Sequence, residues 1–113
     1  MSQNRNKLLS LFIGNLSNAV IHKVLEEAID NQEITLKYES EIKNSFNLAL
    51  KYREKINPIN THLPLKDIIK IENKIYKNAV TELRKREQLG YNNIDLSIIP
   101  KIIENLLNKS QVK

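Results

Sequence analysis

Residues 8–29 read LLSLFIGNLSNAVIHKVLEEAI. At roughly 100° per residue, Leu9, Phe12, Ile13, Leu16, Val20 and Val24 fall on one face of a helix. Ile21, Leu25, Ala28 and Ile29 carry the apolar surface well round the back. Only Asn15, Asn18, His22 and Glu26 are left as a polar strip. A surface helix has one apolar stripe, whereas a helix apolar round most of its girth needs partners on at least two flanks. This stretch is therefore expected to be the central helix of a bundle, over about 6–30.

Two other readings of the same stretch are weaker. Arg5 and Lys7 precede the apolar run, and Ser17-Asn18-Ala19 has the small-x-small form of a leader cleavage site. Asn15 interrupts that run early, and the helical period continues unbroken to Ile29, so a folded helix is expected. No run is read as a membrane span.

After Ile29, Asp30-Asn31-Gln32-Glu33 reads as a polar connector and Thr35 as the N-cap of a second helix over about 36–56. Tyr38, Ile42, Phe46, Ala49, Tyr52 and Ile56 share its inner face. Asn57-Pro58 ends it, because proline disfavours helical geometry in the residue before it. A third helix is expected over about 64–89. Pro64 lies in its first turn, Asp67 near its positive end, and Gly90 just past its end as the breaker. Its expected core face is Leu65, Ile68, Ile69, Ile75, Tyr76, Ala79 and Leu83. After a loop from Tyr91 to Leu96, Ser97 is expected to cap a short helix over about 98–109. Ile99, Ile102, Ile103, Leu106 and Leu107 form its inner side, and Ser110–Lys113 should fray. Nothing alternates with the two-residue period of a strand.

These elements define the expected fold class: all-α, an antiparallel up-down helical bundle of three long helices plus a short fourth. The 113 residues form a single domain, 1–113. With 41% hydrophobic and 27% charged residues but two Gly and three Pro, long uninterrupted elements are favoured. There is no Cys, which excludes disulfides, thiol catalysis and Cys-ligated metals and agrees with a cytoplasmic location. The net charge of +5 permits nucleic acid, an anionic membrane surface or an acidic protein as partner and requires none of them.

Three groups of residues stand out. Lys66, Lys70, Lys74, Lys77 and Arg84 fall within roughly an 80° sector of the third helix, with Lys85 and Arg86 beside it. Such a stripe can track a phosphate backbone or serve as a solvated, partner-facing flank. Glu72 lies near the centre of the third helix's apolar arc, and Arg53 intrudes on that of the second. A buried charge must be paired, so the two are expected to form an ion pair or to meet an interface. The strip Asn15, Asn18, His22 and Glu26 is expected to line an interface. His22 and Glu26 are spaced to share an ion, but a bundle metal site needs two more ligands, and the Glu-x-x-His pattern is absent. No metal, cofactor or small molecule is expected.

No phosphate-binding glycine loop, dinucleotide fingerprint, metalloprotease His pair or nucleophile elbow is present. The chain is therefore read as a non-catalytic helical interaction or structural protein, a homodimer or a subunit of a larger complex, because its first helix offers more apolar surface than two neighbours need. The alternative is a small basic nucleic-acid-binding protein using the third-helix stripe.

Overall fold

Everything packs against α1, the helix Arg5–Ala28. The computed structural model describes residues 4–29, 31–56, 62–110 and 112. The other helices are α2 (Gln32–Ile56), α3 (Leu65–Gln88) and α4 (Ile99–Lys109), the last entered through a 3-10 turn at Leu96–Ile98. No strand occurs among the described residues. α1 touches each of the other three helices.

α1 starts where the Asn4 side chain accepts a hydrogen bond from the Asn6 amide at 2.7 Å. Phe12, Leu16, Ala19, Val20, Val24 and Leu25 then disappear completely from solvent. They are covered by Ala49 of α2, by Ile71, Ile75, Ala79 and Leu83 of α3, and by Ile99, Ile103 and Leu107 of α4. The short fourth helix thus closes the flank that two long neighbours leave open. The apolar excess of α1 is used up inside one chain, so it gives no ground for a second subunit. By length and composition alone α1 is also apolar enough to cross a membrane, contrary to the sequence reading. In the fold, 61% of its most apolar window is buried against the rest of the protein.

Four local expectations are corrected. α2 begins at Gln32 rather than after Thr35. Asn31 is the cap: its Oδ1 accepts from the amides of Glu33 and Ile34 at 3.1 and 3.2 Å, and Thr35 already donates to the Asn31 carbonyl. Asn is at least as good an N-cap as Thr, and here it stands four residues earlier with its side-chain oxygen facing the first amides. Before α4, Asp95 caps the turn by accepting from the Ser97 amide at 3.0 Å, so Ser97 lies inside the turn.

The third correction concerns which face of α3 is inward. Ile68, Ile71, Ile75, Ala79 and Leu83 are buried, whereas Leu65, Ile69 and Tyr76 are 70%, 49% and 46% exposed. Apolar residues span a wider arc of α3 than its neighbours can cover. The set centred on Ile71 and Ile75 is the one that reaches the core, and the rest is rotated outward. Fourth, the C-terminal residues do not all fray: Ser110 and Val112 are buried. The Val112 amide donates to the Leu107 carbonyl at 3.0 Å, and its carbonyl accepts from Leu63 at 3.4 Å. A single apolar side chain after the helix is enough to dock this segment beside Leu63. The expected stop at Asn57-Pro58 lies outside the described residues. Gly90 ends α3 as expected: its φ of +101° is a conformation that a side chain disfavours, and its amide donates to the Glu87 carbonyl.

Two leucines test this arrangement. Leu16→Ala should cost about 3 kcal/mol of unfolding free energy through the cavity it leaves, and Leu65→Ala should stay within about 0.5 kcal/mol. Urea unfolding of both variants checks the pair; similar losses would contradict the inward face assigned to α3.

Candidate functional site

α1 is not covered all round. Ser10, Gly14 and Asn18 remain exposed at four-residue spacing, which places them on one side of the helix. Beside this side runs a cleft whose other wall is α3. Its first half, about 370 Å³, is lined by Ser10, Ile13, Gly14, Lys74, Lys77 and Asn78. Its second half, about 290 Å³, is lined by Gly14, Ser17, Asn18, Ile21, His22, Asn78, Glu82 and Arg86. Gly14 and Asn78 belong to both, so the halves are continuous.

Asn78 is fixed from beneath. Its Nδ2 donates to the Ser17 hydroxyl at 3.3 Å, and that hydroxyl, itself buried, donates to the Ile13 carbonyl at 2.7 Å. Gly14 is the unexpected residue. A glycine inside a helix costs about 1 kcal/mol relative to alanine, yet a Cβ placed on Gly14 meets no atom within 4 Å. Packing within the chain does not require it. What it does is keep the helix backbone open along the middle of the cleft.

The two halves differ in charge. In the first, Lys74 and Lys77 are exposed, no carboxylate lines the wall, and neither lysine has an ion pair among the described residues. In the second, the charges are matched. Arg86 Nε bonds Glu82 at 3.3 Å, and its guanidinium lies 5.6 Å from the Tyr91 ring. Burial alone would pull the Arg86 pKa down, but hydrogen bonds to Glu82 and Tyr91 outweigh it and the net direction is up. The hydroxyl pKa of Tyr38 in α2 is raised by burial first and then by the neighbouring Tyr91.

His22 closes the second half. Its ring stacks on Tyr38 with centroids 5.5 Å apart, and its Nε2 lies 3.0 Å from the Glu41 carboxylate. Burial, the largest influence, lowers its pKa below 6.5. The Glu41 charge and the Asn18 carbonyl oppose this, and Arg86 adds to it. The neutral ring donates through Nε2–H to Glu41. Nδ1 is buried and makes no hydrogen bond among the described residues.

The residues singled out by sequence are thus dispersed over several surfaces. Of the interface strip, Asn18 is exposed. Asn15 is half-buried and donates to the Leu11 carbonyl at 2.8 Å. Glu26 accepts from Lys23 at 3.4 Å, and His22 turns to α2. Of the basic stripe, Lys66, Lys70, Lys74, Lys77, Arg84 and Lys85 are exposed and Arg86 is half-buried. Arg53 is fully buried and Glu72 half-buried; each is held by a polar or electrostatic contact. No group of three or more metal-ligating side chains occurs among the described residues.

Sequence reasoning passed over Ser10, Gly14, Ser17, Asn78 and Glu82. Their signal was available as periodicity: Ser10-Gly14-Asn18 and Asn78-Glu82-Arg86 each repeat every four residues. Comparison with known proteins gives no matching family model, no matching curated protein and no matching solved structure.

The lowered His22 pKa has a consequence for stability. The unfolded chain binds the proton more tightly, so the His22 contribution is complete above pH 6.5 and is lost as the pH falls from there toward the folded pKa. His22→Gln should flatten this part of the profile. Urea midpoints measured from pH 7.5 downward should fall more steeply for the parent protein than for the variant. Parallel curves would contradict the assignment.

Proposed function

We propose that the protein is a non-catalytic helical subunit that holds another protein chain against the outer flank of α3, with a second copy of itself as the partner. One observation carries this reading. Leu65, Ile69 and Tyr76 lie on one exposed strip of α3 at the spacing of a helix–helix seam. Large apolar side chains in a row, as opposed to scattered ones, mark interaction surfaces. Val80 continues the strip half-buried, and Leu89 lies 77% exposed just past the helix end.

We read the helices as an antiparallel up-down bundle. Support comes from His22, late in α1, meeting Tyr38 and Glu41, early in α2. Val112, after α4, likewise returns to Leu63, before α3. Arg53 and Glu72 are read as a structural charge pair, since a fully buried guanidinium is tolerable only when compensated. The absence of catalysis is inferred from the lack of any catalytic motif in the sequence. The cysteine-free composition supports a cytoplasmic location.

A second reading is nucleic-acid binding. Lys66, Lys70, Lys74, Lys77, Arg84 and Lys85 are exposed on one helix, and none has an ion pair within 4 Å among the described residues. Arg86 is tied to Glu82 and drops out of that set.

The mass in solution decides the first reading. The parent protein should sediment as a dimer, and the double variant Ile69→Lys, Tyr76→Lys as a monomer with an unchanged melting profile. A parent protein that remains monomeric at high concentration removes self-association. For the second reading, affinity for duplex or single-stranded RNA should fall steeply with salt, by a slope of about −0.9 or −0.7 per phosphate contact. Lys70→Gln with Lys74→Gln should reduce that slope.

A further inference from the structure

We infer that the first half of the α1–α3 cleft binds a phosphate group, held by Lys74 and Lys77 and seated against the bare backbone of α1 at Gly14. Four observations converge on this place. The cleft measures about 370 Å³, within the range of small-ligand sites. It is lined by two lysines and no carboxylate, so an anion entering it meets two positive charges and no competing negative one. Around those charges stand neutral donors, the Ser10 hydroxyl and the Asn78 amide. Asn78 is already oriented by the buried Ser17 hydroxyl, which reduces the ordering needed on binding. Finally, Gly14 holds open space above the helix that nothing among the described residues occupies, and glycine there is otherwise unfavourable for the helix.

The neighbouring half argues for this assignment by contrast. Arg86 is the more natural phosphate ligand by its planar fork of donors, but it is bonded to Glu82 and lies over Tyr91. Glu82 would repel an anion placed there. Lys74 and Lys77, which have no ion pair among the described residues, are therefore available in the cleft, and the phosphate belongs beside Lys74 rather than beside His22. This inference does not depend on dimerisation, because Leu65, Ile69 and Tyr76 do not line the cleft.

The same chemistry is offered by a small phosphorylated molecule and by an RNA backbone, and two probes separate them. Inorganic phosphate added at low ionic strength should shift the amide resonances of Ser10, Gly14, Lys74, Lys77 and Asn78. Lys74→Gln with Lys77→Gln should weaken this at least roughly tenfold, as expected for losing charge-assisted hydrogen bonds. Lys66→Gln with Lys70→Gln, on the same helix but outside the cleft, should leave it unchanged. Gly14→Leu should remove phosphate binding without lowering the melting temperature, and Gly14→Ala should raise that temperature by about 4 °C. A short single-stranded RNA that phosphate displaces identifies a backbone as the source. Binding of phosphate but not of RNA identifies a small phosphorylated ligand. No amide shifts with either probe, equal losses in the two lysine pairs, or undiminished binding in a folded Gly14→Leu variant would each overturn the proposal.

Discussion

The removal of α1 from water governs this structure. Its apolar side chains cover too much of its circumference for one neighbour, and each fully buried Leu, Val or Phe contributes on the order of 1.5–3 kcal/mol when it leaves solvent. Three helices share the task. α4 need be only long enough to cover the flank that α2 and α3 leave, and Val112 extends that cover beyond the helix end. The orientation of α3 follows from the same demand: the side carrying Ile71 and Ile75 is the one that completes the core.

The side of α1 that faces the cleft is composed differently. Ser10, Gly14 and Asn18 are small or polar, so leaving them exposed costs little. Their shortness is also why a cleft exists, since a row of long side chains would fill the space before α3. One helix therefore supplies both the centre of the core and the floor of this concavity. Along that concavity the charges separate. Near His22, the groups Glu82, Arg86, Tyr91, Tyr38 and Glu41 satisfy one another. Near Ser10, Lys74 and Lys77 face open space. Binding capacity is expected where charges are uncompensated, because an anion there has no existing partner to displace.

α3 links the proposed functions through three sides with distinct chemistry. Its inner side is aliphatic, its cleft side carries amide and ammonium groups, and its outer side mixes exposed Leu65, Ile69 and Tyr76 with lysines. The outer apolar strip lies apart from the cleft, so a protein partner and a phosphate can be accommodated together.

Periodicity determined the helical class, the central place of the first helix and the approximate extent of the others apart from the start of α2, because spacing along the chain maps directly onto angle round a helix. Gly90 could likewise be assigned from sequence, as its role depends on a helix end, whereas the bond of Asp67 to Arg5 of α1 could not. Capping was less legible: Asn31 and Thr35, or Asp95 and Ser97, are chemically similar, and only the backbone path decides which oxygen reaches an amide. Three matters were left to the tertiary structure. The inward side of α3 depended on the positions of α1 and α4, since its apolar arc admits two choices. The covering of α1 within one chain depended on α4 and Val112 docking where two other helices left a gap. The cleft depended on Ser10 and Gly14 meeting Lys74, Lys77 and Asn78 across some sixty residues of sequence; that proximity follows from packing, which local spacing does not encode.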